Sequence, residues 1–280
     1  MTEFFQALAG NALLQNALLA GVIASVACGV MGSYVVARRI TYIAGGVAHC
    51  VLGGMGAARY LNVVGGWTWL QPLHGAIFAA LLAAGIIGWV SQRSKEREDT
   101  VISALWAIGM AVGVLFIAKT PGYYEDLMSY LFGNVLLVSG QQLRLIVLLD
   151  VVVVGLGLLL YNPFLAVCFD QEFARLRGLN VELYYLLLLG LTALTVVVLV
   201  TVVGLVMVIA LLTLPVAVAG HFVHRLWHVM LLSCLLSAAL TAGGLMVSYG
   251  PDLPPGAVTI VLAGGLYLLV LCGRRLIRAF

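Results

Sequence analysis

The sequence predicts an all-α polytopic membrane protein with eight or nine transmembrane helices and one short cytoplasmic helix. Three observations carry that prediction. The chain of 280 residues is 63% hydrophobic and only 9% charged, where a soluble domain carries about 25% charged residues. Its mean hydropathy is +1.14. Its charges gather in short clusters between long apolar runs, and a helix needs roughly 20 such residues to cross the hydrocarbon core. Without water to satisfy backbone polar groups, those runs must be helical. The pattern excludes a soluble multi-domain protein, and the net charge of +3 gives no reason to expect a nucleic-acid partner. A single transmembrane domain over 1–280 is expected, in the cytoplasmic (inner) membrane and surrounded by lipid.

The candidate spans, in order, are 14–37, 40–61, 68–90, 100–118, 128–161, 183–201, 204–220, 226–248 and 256–273. The N-terminus, MTEFFQALAG, lacks a basic leader region, so a cleaved signal peptide is not expected. The uncharged run from Leu183 to Ala219 is too long for one crossing and is split near Thr201–Gly204, where a tight turn could reverse the chain. The stretch 128–161 is also long. Gly133, Asn134 and SGQQ (139–142) suggest a broken or re-entrant first part, so the count is eight or nine.

Orientation follows from where Lys and Arg fall. Alternating sides puts 11 of the 14 basic residues in the cytoplasm: Arg38, Arg39, Arg93, Lys95, Arg97, Arg175, Arg177, Arg225, Arg274, Arg275 and Arg278. Only Arg59 and Lys119 fall outside, and Arg144 is ambiguous. The C-terminus is then inside. The five cysteines are scattered through apolar runs with no CxxC pair and read as buried, inert thiols.

One cytoplasmic segment, NPFLAVCFDQEFARLRGLN (162–180), differs from the other loops. Phe169, Phe173 and Leu176 recur at i, i+4 and i+7, one face of a short helix, while Asp170, Glu172, Arg175 and Arg177 take other faces and Gly178 fits a helix C-terminus. Such a helix could lie on the membrane surface or insert its apolar face into a partner's groove. Amphipathicity alone fits both.

Several polar residues stand out within the apolar runs. His49 lies halfway along the second span among Gly45, Gly46, Gly53, Gly54 and Gly56. Such glycines let helices approach closely, so this histidine either hydrogen-bonds across a packed interface or lines a cation route as a neutral imidazole. Asp150 is a lone carboxylate deep in LIVLLDVVVV, which must face protein or water, with Arg144 as one conceivable partner. His74 sits near the outer end of the third span, and Glu125 and Asp126 lie in an outer loop. In HFVHRLWH, His221, His224 and His228 fall at i, i+3 and i+7, a stripe that could bind metal near the cytoplasmic side. His221 and His228 are about 10 Å apart along a helix axis, too far to share one ion without distortion or a second subunit.

The order of features resembles the integral membrane permeases of ATP-binding-cassette (ABC) importers for zinc and manganese. The stretches that carry the resemblance are GSYVVARRITYIAGGVAHCVLGG (32–54), LMSYLFGNVLLVS (127–139), FDQEFARLRGLN (169–180), VVGLVMVIALLTLPVAVAG (202–220) and DLPPGAVTIVL (252–262). The fourth and fifth are similar to the family's glycine-to-proline helix and its last external turn. Asp170, Ala174 and Gly178 match its cytoplasmic D-x-x-x-A-x-x-x-G loop. The resemblance implies a permease that pairs with a copy of itself, a periplasmic or lipid-anchored metal-binding protein, and a cytoplasmic ABC ATPase. That ATPase would receive residues Phe169, Asp170, Glu172, Phe173, Ala174, Arg175, Leu176 and Gly178 as a coupling helix. No Walker motif occurs in the chain, so ATP hydrolysis is expected in the separate subunit.

The resemblance also implies a metal route past His49. In the family an aspartate often stands four residues before this histidine, where both would share a helix face; here that position is Gly45. The histidine without its carboxylate leans toward zinc as the transported ion, with manganese or ferrous iron as alternatives and no tightly bound cofactor. A siderophore, haem or cobalamin permease is a further alternative, though such permeases are usually longer. An intramembrane metalloenzyme would need a general base beside its histidines, and no carboxylate occurs from 183 to 251.

Overall fold

The computed structural model describes residues 2–93, 98–121, 140–251 and 253–279. Lys95, Arg97, Glu125, Asp126, Asp252 and the 127–139 stretch, with Gly133 and Asn134, lie outside the described residues. The described residues form twelve α-helices and no strand. These are α1 (Thr2–Gly10), α2 (Ala12–Ala37), α3 (Thr41–Val63), α4 (Pro72–Arg93), α5 (Glu98–Lys119), α6 (Gly140–Leu159), α7 (Tyr161–Phe169), α8 (Gln171–Leu176), α9 (Val181–Val203), α10 (Leu205–Phe222), α11 (Leu226–Tyr249) and α12 (Pro255–Ala279).

Seven of the helices are long and apolar enough to cross a membrane, and a bent pair, Ile146–Leu159 with Tyr161–Phe169, makes up to eight. Helix α3 is outside that count although it spans 23 residues, because its glycines, His49 and Arg59 lower its hydropathy. The expectation of eight or nine is therefore not confirmed: seven spans are counted among the described residues, and eight only if the bent pair is one span.

Two breaks follow from local chemistry. The expected division of the long apolar run falls at Gly204, whose φ of +81° is open to glycine and strained for other residues. The second break was not expected. The chain turns by 70° between α6 and α7, and Pro163 sits in the first turn of α7, where its missing N–H leaves no helical bond unmade. Residues 162–168, read from sequence as cytoplasmic loop, are therefore helical. Phe164, Val167 and Cys168 are buried, with the Phe164 ring edge-on to Tyr34 of α2 at 5.4 Å and to Tyr184 of α9 at 6.4 Å.

Helix α3 packs between α4 and α5, while α2 packs with α6 and α11. Helices α9 and α10 each touch both α2 and α3 and so join the two groups. Glycine sets the spacing in the first group. A Cβ at Gly54 would collide with the Gly75 carbonyl of α4, one at Gly53 would meet the Gly109 carbonyl of α5 at 2.7 Å, and one at Gly56 would meet that of Gly113 at 2.9 Å. Backbone meets backbone at all three places. In lipid, where apolar surface has no hydrophobic preference for protein, such close van der Waals contact is what holds helices together.

Candidate functional site

His49 lies on α3 where α5 crosses it, and only 6% of its surface is accessible. Its Nδ1 is 2.8 Å from the carbonyl oxygen of Gly45, one turn earlier on the same helix. A carbonyl can only accept, so Nδ1 carries the hydrogen, and in the neutral ring Nε2 then keeps its lone pair. That is the arrangement of a metal-binding imidazole whose orientation is fixed by its other nitrogen. The bond is made within α3 and not across an interface.

The indole of Trp106 on α5 stacks against this imidazole, with centroids 4.3 Å apart and planes 29° apart. Trp106 also explains Gly45. A Cβ there would lie 2.8 Å from the indole Cζ3 and 3.3 Å from its Cη2. Beside this pair is a cavity of about 300 Å³ lined by Thr41, Tyr42, Gly45, Trp106, Ile209 and Thr213. Its lining is mainly apolar and includes three hydroxyl residues, Thr41, Tyr42 and Thr213, of which Thr213 donates to the Ile209 carbonyl at 2.7 Å. Trp106 has no direct sign in the sequence. The available signal was indirect: two adjacent glycines, Gly45 and Gly46, leave room that a large side chain from a neighbouring helix can fill.

The other sequence candidates do not join His49. Asp150 on α6 is buried, and its Oδ1 has no hydrogen-bond partner among the described residues. It faces α2 and α11, within electrostatic reach of Cys28 and Cys234. Arg144 is exposed and lies six residues earlier, about 120° away around the helix. His74 is exposed at the start of α4, where its Nδ1 accepts from the Gln71 N–H at 3.2 Å. Among the described residues, no group of three or more His, Cys, Asp or Glu side chains is placed to hold a metal ion.

The histidine stripe at 221–228 does not exist as expected. Helix α10 ends at Phe222 with Val223 extended, and α11 begins only at Leu226, so His221, His224 and His228 do not share a helix face. The physical reason is the break itself, which removes the 3.6-residue period on which the stripe depends. Arg274 of α12 donates from one Nη to both Nδ1 (3.0 Å) and the carbonyl oxygen (2.7 Å) of His221. The His228 ring stacks on Trp227.

The 169–178 segment is a compact clip, and its sequence pattern can be read residue by residue. Asp170 caps α8, accepting from the Phe173 N–H at 2.9 Å, the usual role of an N-cap aspartate. Ala174 is fully buried. Gly178, at φ +77°, closes the helix. Its N–H donates to the Arg175 carbonyl at 2.9 Å, and the Leu179 N–H donates to that of Ala174 at 3.1 Å, which is the Schellman pair. Phe169, Phe173 and Leu176 are left 67%, 49% and 87% exposed. The Arg177 guanidinium lies over the Phe173 ring at 5.2 Å, and Glu172 and Arg175 are exposed beside it.

Comparison with known proteins places this geometry. The chain is 40% identical over 263 residues to a Chlamydia trachomatis protein named as a probable metal transport system membrane protein, covering 94% of this chain and 89% of that one. It is 31% identical over 269 residues to the manganese transport system membrane protein MntC of Halalkalibacterium halodurans, covering 96% and 90%. Among solved structures, PsaBC from Streptococcus pneumoniae in complex with Fab matches with a TM-score of 0.85 and 26% identity, over 96% of this chain and 94% of that one. The ABC 3 transport family matches residues 11–274: the chain is a multi-pass membrane protein belonging to that family.

Proposed function

We propose that this chain is the permease subunit of an ABC importer that carries manganese across the cytoplasmic membrane by alternating access. The observation that supports the site is the imidazole of His49, oriented by the Gly45 carbonyl, near a cavity whose lining includes Thr41, Tyr42 and Thr213. Oxygen donors and water suit Mn²⁺, while imidazole is acceptable to it. Relatives named for manganese transport point the same way. This replaces zinc, toward which the histidine without its family aspartate leans in the sequence, and the manganese-named relatives are what favour the change. A few weak ligands also serve transport better than a closed four-ligand site, because the ion must leave again.

In this reading the exposed triad Phe169, Phe173 and Leu176 enters a groove of a cytoplasmic ATPase, with Asp170, Ala174 and Gly178 holding the clip in shape. A second copy of the chain completes the pathway, and an external metal-binding protein loads it. Asp150 is a buried structural carboxylate between α6, α2 and α11, and His74 belongs to the outer end of α4.

The test is ATP-driven uptake of radiolabelled Mn²⁺ into vesicles holding this chain with its ATPase and binding protein, with Zn²⁺ as competitor. Wild type is expected to take up Mn²⁺. His49→Ala is expected to lose most uptake while the complex assembles and hydrolyses ATP. Preferential uptake of Zn²⁺ overturns the manganese assignment, and normal uptake by the variant removes His49 from the route.

A further inference from the structure

The 70° turn between α6 and α7 is braced by one residue of α2. Tyr34 is fully buried, and its hydroxyl donates to the Gly157 carbonyl at 2.9 Å. Gly157 stands in the last turn of α6, where carbonyls lack the N–H donors of a following turn. The ring of the same tyrosine meets Phe164 of α7 edge-on, with centroids 5.4 Å apart. Near the far end of α7, the Cys168 thiol points a weak hydrogen bond at the Tyr34 carbonyl, 3.9 Å away. Tyr34 therefore holds α6 before the break and α7 at two points after it.

The brace is itself anchored. Four residues on, the Arg38 guanidinium lies over the Tyr185 ring of α9 at 5.6 Å, and Phe164 meets Tyr184 of the same helix at 6.4 Å. Its reach depends on glycine. A Cβ at Gly157 would lie 3.2 Å from Val30 Cγ1 and 3.5 Å from Met31 Sδ of α2, so a side chain there would press the two helices apart and draw the carbonyl from the hydroxyl.

What the brace sets is direction. Helix α7 ends at Phe169 and shares Asp170 with α8 as the residue between them. No free linker separates the two, so the exposed face of the clip goes where α7 points. With nine residues, α7 is about 13 Å long, and a change of about 20° in the turn would carry its end by roughly 5 Å. A displacement of that size would take Phe169, Phe173 and Leu176 out of a groove that fits them.

We propose that Tyr34 is a positioning residue for the ATPase interface: by joining the Gly157 carbonyl to Phe164 across the break, it fixes the angle at which the 169–178 clip is presented. This rests on the reading of the clip as the element that docks on the ATPase. Being fully buried, Tyr34 reaches no partner itself and acts through α7.

The angle is read without transport, as the distance between spin labels on Leu148→Cys of α6 and Glu172→Cys of the clip, both exposed positions. The exposed Cys272 is replaced by serine, and labelled chain is diluted with unlabelled chain. With Tyr34 in place, one narrow distance is expected. Tyr34→Phe, which keeps the ring and loses only the hydroxyl, is expected to broaden that distance or shift it by several ångströms. Gly157→Ala is expected to do the same from the other side, which keeps the test decisive if one variant does not assemble. In the unlabelled chain, both variants are expected to lower the ATPase bound per folded permease severalfold. A contact that merely stabilised the permease would lower its yield and leave that ratio alone. Unchanged distances in both variants overturn the proposal, as do altered distances with an unchanged ratio. If Phe173→Ser with Leu176→Ser still binds the ATPase as wild type does, the docking reading fails and the proposal falls with it, even where the distances move.

Discussion

Helices α3 and α5 lie side by side and invert the usual relation between apolarity and burial. In α5 the most apolar window has a mean hydropathy of 2.4 and is 17% buried, whereas α3 is too polar to be counted as a span at all yet has thirteen buried residues. In water, the apolar helix goes inside. In a bilayer the lipid is as apolar as leucine, so hydropathy does not sort burial: Val181–Val200 of α9, at 2.5, is 67% buried, and the interior beside α5 is built from glycine and a histidine. The candidate site is on the helix that hydropathy detects least well.

The sharpest way to break this contrast is to place bulk on each helix in turn. Gly54→Leu drives a side chain into the Gly75 backbone of α4, where no flexible group can give way, and close backbone contact is the main attraction available. Near-complete loss of folded protein is expected, read as the fraction surviving size-exclusion chromatography after detergent extraction. Leu115→Ala, on the face of α5 where that residue is 62% exposed, is expected to leave that fraction close to wild type. A stable Gly54→Leu protein would show that the glycine pairs are not what sets α3 in place.

The 169–178 clip offers a second contrast, between residues that shape it and residues it presents. Phe173→Ser and Leu176→Ser together remove the exposed apolar face without touching the cap, the buried Ala174 or the closing turn. Anchors of this kind cost upwards of about 2 kcal/mol when lost from an interface. ATPase co-purification is therefore expected to fall by more than tenfold, with the thermal midpoint of the permease alone unchanged. Retained co-purification would put the docking surface elsewhere. Ala174→Leu should act the other way, lowering the stability of the permease itself.

These helices also show what a single sequence can and cannot convey. Most of the apolar spans, the break at Gly204 and the C-terminal end of α8 were legible because each depends on neighbours in sequence: a run of apolar residues, or a glycine free to take positive φ. Tertiary placement was not. The 221–228 stripe assumed one continuous helix, but Val223 is extended and the period is lost. The 70° turn before α7 left no mark stronger than Pro163. His49 was visible as an anomaly among glycines, yet Trp106, 57 positions later in the chain, could be matched to it only by the packing of α5 on α3.

The smallest expected effect compares two turns of the same design. Both α2 and α8 end in a Schellman pair: Arg39 N–H to Val36 O with Ile40 N–H to Val35 O in the first, Gly178 and Leu179 in the second. The left-handed position is filled by Gly178 in α8 but by Arg39, at φ +63°, in α2. A left-handed side chain costs about 1–2 kcal/mol, and glycine's extra freedom in the unfolded chain costs about 0.5–1 kcal/mol. The two nearly offset, so Gly178→Ala should destabilise by about 0.5–1 kcal/mol and Arg39→Gly should stabilise by a similar amount, read as opposite small shifts in thermal midpoint. Arg39 is the turn residue between α2, against which α7 packs, and α3, which carries His49. If Arg39→Gly raises stability but lowers uptake per ATP hydrolysed, the strained turn stiffens the connection from clip to site. If both readings stay at wild type, the charge of Arg39 serves orientation in the membrane and the turn is indifferent to its occupant.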